Sequence, residues 1–234
     1  MSAGENVASR LTQVRARVGQ AAERAGRDPA GVRLVAVTKG HPAVAIESAL
    51  QAGLCDIGES RVQEARAKRS ELVGGAATWH MIGHIQRNKA RAAATIFDVV
   101  HSVDSAQLAA ALDRHRAADT TPLRVLIEVE LTGAPGRSGV SADAAAALLT
   151  EVRGLPGLEP VGLMTIAPQG SPDGARDCFA RLRLLRDRLR DDHEITLAEL
   201  SMGMSDDFEI AVAEGSTMVR LGRVLFGDRV GAQR

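Results

Sequence analysis

Apolar residues fall into two rhythms along this chain. Some form short unbroken runs, the pattern of strands buried on both faces; others recur every third or fourth position, the pattern of amphipathic helices. Residues 5–25 carry Val7, Leu11, Val14 and Val18 at helical steps among arginines and glutamates, which predicts a helix ahead of the first strand. Leu34 to Lys39 is an apolar, β-branched run closed by Gly40, His41 and Pro42, where a strand must stop. A helix follows over 42–53, with Ala45, Ile46, Ala49 and Leu50 inward and Gly53 as its stop. The pair then repeats. Residues 55–59 read as a strand, and Ser60 with Gln63 as a reciprocal cap for a helix to Leu72. Residues 79–83 read as a strand, 86–94 as a helix and 97–101 as a strand, with Asp104 and Gln107 capping the next helix.

The second half keeps the same alternation. Pro122 leads into a long strand over 123–131 and a glycine-rich loop over 132–139, which reads as mobile, before Ser141 opens an alanine-rich helix. Residues 158–166 form strand six, and 175–189 a helix with Phe179, Leu182, Leu185 and Leu189 inward. Arginines at 181, 183, 186, 188 and 190 are expected on its solvated side. A strand over 197–200, a helix over 206–213 and a strand over 217–222 complete the series. Eight strands separated by helical stretches need parallel crossovers, and they close most simply into a (β/α)8 TIM barrel with an extra N-terminal helix. An open doubly wound sheet is the rival. It lacks the glycine-rich dinucleotide fingerprint after its first strand, where Thr38-Lys39-Gly40-His41 has one glycine.

Composition narrows the field. At 234 residues, 45% apolar and 25% charged, the chain is long enough for one large core, so a single domain over 1–234 is expected. The 29 basic and 29 acidic side chains cancel and no like-charged block stands apart from a helix, which argues against nucleic acid and membrane surfaces as partners. Met1 to Asn6 lacks a basic end followed by an apolar stretch, so a cytoplasmic protein is expected, as a monomer. Cys55 and Cys178 are far apart and outside any CxxC pair, and both are expected to be reduced and semi-buried.

The candidate chemistry starts at Lys39. An amine at the tip of a buried strand loses part of its preference for charge and can form an imine with an aldehyde. Taken alone the stretch reads first as an ordinary solvated strand-end cation, since most lysines are solvated. In a barrel all strand carboxyl ends meet at one mouth, which would gather Lys39, Glu59, His84, the 133–139 loop, Thr165, Ser201, Met202, Gly203 and Arg220. The loops after strands seven and eight are where barrels bind phosphate, and Ser201-Met202-Gly203-Met204-Ser205 and Gly222 suit that role, unless both glycines only make turns. An imine-forming lysine and a phosphate cradle together describe pyridoxal 5′-phosphate. Arg220 would point toward the pyridine nitrogen of such a cofactor, or pair with a nearby carboxylate. His80 and His84 have the spacing of two metal ligands on a helix, but Ile82 and Gly83 indicate a strand end, and no metal is expected. Asp206 and Asp207 read as helix caps, and Asn88 and Lys89 as surface residues at a helix start.

Several segments carry a resemblance: Ala36-Val37-Thr38-Lys39; Asp56-Ile57-Gly58-Glu59 with Val62-Gln63-Glu64; the run from Trp79 to Lys89; and Leu200 to Asp207 with Gly215 to Gly222. They resemble the pyridoxal phosphate homeostasis protein family over nearly the whole length, to Phe226-Gly227. The resemblance implies a barrel related to the N-terminal domain of alanine racemase, with pyridoxal 5′-phosphate held as an imine on Lys39. It also implies Ser201, Gly203 and the backbone near Gly222 on the phosphate and Arg220 on the pyridine nitrogen; Glu59, His84, Met164 and Met202 are expected as further cofactor-binding residues at the same mouth. The implied role is a non-enzymatic carrier or buffer of the vitamin B6 cofactor, with PLP-dependent apoenzymes as possible partners. The chain departs from the family pattern at Gly40-His41, Ser60-Arg61, Arg137 and Arg223, the last standing where a small hydroxyl residue often helps bind phosphate. A PLP-dependent racemase of the same barrel type is the alternative. It needs a second proton-transfer group, yet the chain has no tyrosine and only eight residues follow Phe226, too few for a covering β domain. A cofactor-free aldolase forming its imine on Lys39 is a third reading.

Overall fold

The computed structural model describes residues 3–72, 76–116 and 121–228. Eight parallel strands, β1 (Arg33–Val37), β2 (Asp56–Glu59), β3 (Thr78–Met81), β4 (Val99–Val103), β5 (Leu123–Glu128), β6 (Leu158–Met164), β7 (Glu199–Ser201) and β8 (Met218–Leu221), close into a barrel in chain order. The ring is completed by β1 against β8, with Leu34 opposite Val219 and Ala36 opposite Leu221. The helices are α1 (Ala3–Arg24), α2 (Val44–Gln51), α3 (Val62–Glu71), α4 (Ala90–Ile96), α5 (Ala106–His115), α6 (Ala145–Arg153), α7 (Pro172–His193), α8 (Phe208–Ala213) and α9 (Arg223–Phe226).

Side chains alternate across each strand, so the apolar runs divide between two cores. Residues such as Leu34, Ala36, Ile57, Trp79, Val100, Ile127 and Leu200 face the helices and join the large outer core, and Val35, Val99, Leu126, Met164 and Met218 form a small cluster inside the barrel. Phe179 and Leu182 of α7 are fully enclosed in the outer core, each burial being worth roughly 1.5–3 kcal/mol. Helix α1 lays Val7, Leu11, Val14 and Val18 against the barrel exterior beside α2, α8 and α9, as its periodicity predicts. Where β6 meets β7 the backbones come so close that a Cβ on Gly162 would lie 1.9 Å from the Glu199 carbonyl oxygen, so only glycine fits.

Element boundaries differ from expectation where caps decide them. The α3 cap position is Arg61, without a side-chain capping bond, and Ser60 is instead packed against Gly83. Helix α5 is capped by Ser105, whose hydroxyl accepts from the Leu108 N–H, not by Asp104. Helix α7 starts upstream of 175 because Ser171 accepts from the Gly174 N–H and Pro172 takes the first turn. The Ser141 hydroxyl holds a turn through the Ala144 N–H, and α6 begins after it at Ala145. Helix α8 begins at Phe208, after both aspartates; Asp207 accepts from the Met204 N–H at 2.6 Å and Asp206 pairs with Arg223. The arginine face of α7 is only partly solvated, since Arg183 donates to the Glu214 carbonyl and Arg186 to those of Leu197 and Ala198. Of the cysteines, Cys55 is exposed and Cys178 buried.

Candidate functional site

Strand β1 ends at Val37, and Lys39 keeps the inward parity of Val35 and Val37 two residues further on. It lines a cavity of about 510 Å³ together with Val37, Ile82, Arg220 and the segments 204–206 and 222–223. Lysine at the end of the first strand and arginine on the last are therefore neighbours, because β8 closes the barrel against β1.

The chain leading into Lys39 is held from behind. Thr38 donates to Glu59 Oε1 at 2.6 Å, and the Lys68 ammonium, reaching in from α3, donates to the same oxygen at 2.6 Å, to the Thr38 carbonyl at 2.7 Å and to Glu64 at 2.7 Å. Glu64 in turn accepts from the Gly40 N–H at 2.6 Å. The backbone on both sides of Lys39 is thus tied to α3. Glu59 has the outward parity of Ile57 and is fully buried; burial pushes its pKa up, against the lowering effect of the bonds from Lys68 and Thr38. The structure therefore sets Glu59 behind Lys39 and not on the cavity wall.

Arg220 forms the cavity floor. Its guanidinium is buried, donating to Ser201 Oγ at 2.6 Å and to the Thr165 carbonyl at 2.9 Å. Desolvation pushes its pKa down to about 10, with Asp207 and Glu128 opposing, so it stays charged at neutral pH. Glu128, at the end of β5, is buried, with no partner for Oε2 among the described residues; burial first, then Asp104, pushes its pKa up to about 7.

The loops after β7 and β8 form the remaining wall. Gly203 has φ +94°, and a Cβ there would sit 2.5 Å from that of Ala211, so the tight turn needs glycine. Its carbonyl accepts from the Arg220 N–H at 2.9 Å, binding the two loops together. Ser205 presents its hydroxyl beside the start of α9, accepting from the Val224 N–H at 3.3 Å.

Of the nine residues expected in the site, Lys39, Arg220 and Gly222 line the cavity directly. Ser201 lies fully buried beneath it, acting on Arg220; Met164 is inside the barrel, and Met202 belongs to the outer core. His84 bends outward to Asp104, 3.1 Å away, and lines a different depression with Ile85, Gln86 and Arg87. Its pairing with His80 is broken for the same reason: His80 points into the barrel. Sequence spacing could not show Ser205 as the cavity-lining hydroxyl of its motif, Lys68 as the partner of Glu59, or Glu128 as a buried carboxyl near Arg220. Two residues of a strand share a face, but which helix reaches them is a tertiary outcome.

A closed eight-stranded barrel with an amine at the end of its first strand and a guanidinium on its last is the fold of the alanine racemase N-terminal domain, and the sequence profile of that domain matches residues 9–230. The chain belongs to the pyridoxal phosphate homeostasis protein family within it. It is 44% identical over 224 residues to the pyridoxal phosphate homeostasis protein of Pseudomonas aeruginosa, covering 95% of this chain and 96% of that one. The structure of PipY from Synechococcus elongatus with PLP bound matches with a TM-score of 0.84 at 40% identity, covering 94% of this chain and 100% of PipY. Alanine racemase of Clostridium difficile, at 14% identity and a TM-score of 0.74, shares the fold over 97% of this chain and 58% of its own.

Proposed function

We propose that this protein binds pyridoxal 5′-phosphate in the cavity between Lys39 and Arg220, attached through the Lys39 amine, and carries the cofactor without turning over amino acids. The observation that carries the reading is the shared cavity: one amine, one buried guanidinium and the loops after β7 and β8 line about 510 Å³, a size suited to a small ligand. The donor set fits the group. An aldehyde needs the amine, a pyridine nitrogen suits a fixed cationic donor, and a phosphate suits Ser205, Arg223 and the backbone near Gly222. The relatives named as homeostasis proteins and the PLP-bound PipY support the same reading.

When bound, the cofactor supplies an aldehyde and an electron-withdrawing ring. The chain's own residues restrict what that ring can do. Arg220 cannot accept a proton and holds its own, so it would leave a pyridine nitrogen held against it unprotonated and the ring a weak electron sink. Lys68, Glu59 and Glu64 fix the backbone flanking Lys39, which aims the amine into the cavity. Ser201 and Gly203 act from below, the first by holding Arg220 and the second by shaping the turn that brings Ser205 to the wall.

The test is a visible absorption titration of the pure protein with pyridoxal 5′-phosphate, followed by borohydride reduction and peptide mapping. A reduced adduct on Lys39, lost in Lys39→Ala, is expected; an adduct confined to another lysine overturns the assignment. Incubating the loaded protein with single L-amino acids and following chiral purity separates carrier from racemase, and sustained turnover would overturn the carrier reading.

A further inference from the structure

The barrel interior holds a line of polar side chains that runs from the cavity floor to the opposite end. Arg220 NH1 donates to Ser201 Oγ at 2.6 Å; Ser201 Oγ lies 2.8 Å from His101 Nδ1; His101 Nε2 lies 2.8 Å from His80 Nδ1; and His80 Nε2 lies 2.9 Å from Asp56 Oδ1. The five residues come from β8, β7, β4, β3 and β2, and Ser201, His101 and His80 are completely enclosed. Asp56 is the first residue of β2, at the end of the barrel away from Lys39, beside Arg33 at 3.9 Å. It does not line the cavity.

The two charged ends dictate the protons between them. Arginine can only donate and an ionised carboxylate can only accept. His80 must therefore give its Nε2–H to Asp56, which leaves Nδ1 to accept from His101 Nε2–H. His101 Nδ1 then accepts the Ser201 hydroxyl, and the serine oxygen accepts from Arg220. Every link is satisfied with both rings neutral, and all donors point the same way. The reverse orientation puts an unprotonated His80 nitrogen against the carboxylate, or needs a second proton on His80, and in either case takes away the acceptor of the serine hydroxyl. Enclosure also opposes a second proton on His101, as do the positive charges it faces on Arg220, Arg33 and Arg124.

We propose that Asp56, His80 and His101 are positioning residues of the cofactor site, a one-way donor chain that orients Ser201 and so holds the Arg220 guanidinium where the ring nitrogen would lie. The assignment rests on the cofactor reading above for its function, but the chain itself exists without ligand. Histidine side-chain 15N NMR of the ligand-free protein is the first test. Both His80 and His101 should carry their proton on Nε2 with Nδ1 bare; an Nδ1–H form, or averaging between tautomers, on either ring overturns the chain.

The second test titrates pyridoxal 5′-phosphate into wild type, Asp56→Ala and Asp56→Asn. Asparagine keeps an acceptor oxygen for His80 while removing the charge beside Arg33, so it controls for loss of that ion pair. Asp56→Ala should move the visible band of the bound cofactor and weaken binding roughly two- to tenfold, the range expected for one lost hydrogen bond, with Asp56→Asn restoring both. Wild-type behaviour in Asp56→Ala, or the same change in both variants, overturns the proposal. If Asp56→Ala does not fold, the tautomers decide the chain. If wild type fails to bind the cofactor, the function reading falls, and the tautomers again decide the chain alone.

Discussion

Replacing Lys68 with methionine keeps the aliphatic stem in place and deletes one ammonium that donates to Glu59, Glu64 and the Thr38 carbonyl. Glu59 would then keep the Thr38 hydroxyl on Oε1, with Oε2 already lacking a partner among the described residues. The side chains of Lys68 and Glu59 are 7% and 0% exposed, so solvent screening gives little relief. Removing one member of a buried pair costs about 3–5 kcal/mol, because the other charge is left uncompensated. At 2–4 °C per kcal/mol for a chain of this size, the melting temperature should fall by roughly 6–20 °C. The loss should depend on pH. Glu59 already has a folded-state pKa above its unfolded value, and removing Lys68 raises it further. The folded state then binds the extra proton, so the variant loses stability as pH rises from the ordinary glutamate value through the raised one, and regains it on acidification. Urea unfolding at pH values of about 5 and about 8, compared with wild type and with Lys68→Met combined with Glu59→Gln, measures this directly. A loss below about 1 kcal/mol with no pH dependence, or no recovery in the double variant, would refute the reasoning.

Two further perturbations test separate parts of the site. Glu128→Gln should stabilise the protein at alkaline pH: burial lifts the carboxyl from near 4.5 to about 7, so wild type loses stability as pH rises through that window, by roughly 3 kcal/mol. The variant should lack that slope in urea unfolding, and equal pH profiles for the two proteins would count against a desolvated Glu128 carboxyl. Gly203→Ala should destabilise by roughly 2–5 kcal/mol, combining left-handed strain at φ +94° with a Cβ pressed to 2.5 Å from that of Ala211. A urea midpoint within error of wild type would mean that the turn relaxes without cost.

Much of the barrel is legible one element at a time. The apolar run ending at Lys39, the helical stripe of Val7, Leu11, Val14 and Val18, and the inward face of α7 follow from periodicities that a buried strand or a half-buried helix must have. That Lys39 and Arg220 share a mouth also follows, once eight such units are counted, since strand carboxyl ends converge in a closed barrel. Boundaries read less well. Ser105 caps in place of Asp104 and Ser171 lengthens α7, because capping depends on which side chain reaches the orphan N–H groups.

The amino-acid sequence by itself determined which residues can sit in strands, which strand ends gather the candidate site residues, and which family the chain resembles, since all three depend on local pattern and short motifs. Only the tertiary structure decided that Glu59 turns to Lys68 instead of the cavity, that Ser201 lies beneath Arg220 while Ser205 faces the opening, and that His80 and His101 meet inside the barrel. These depend on strand register and on which helix packs over which strand. A shift of one residue turns every side chain to the other face, and contacts between residues a hundred apart are set by closure of the whole ring.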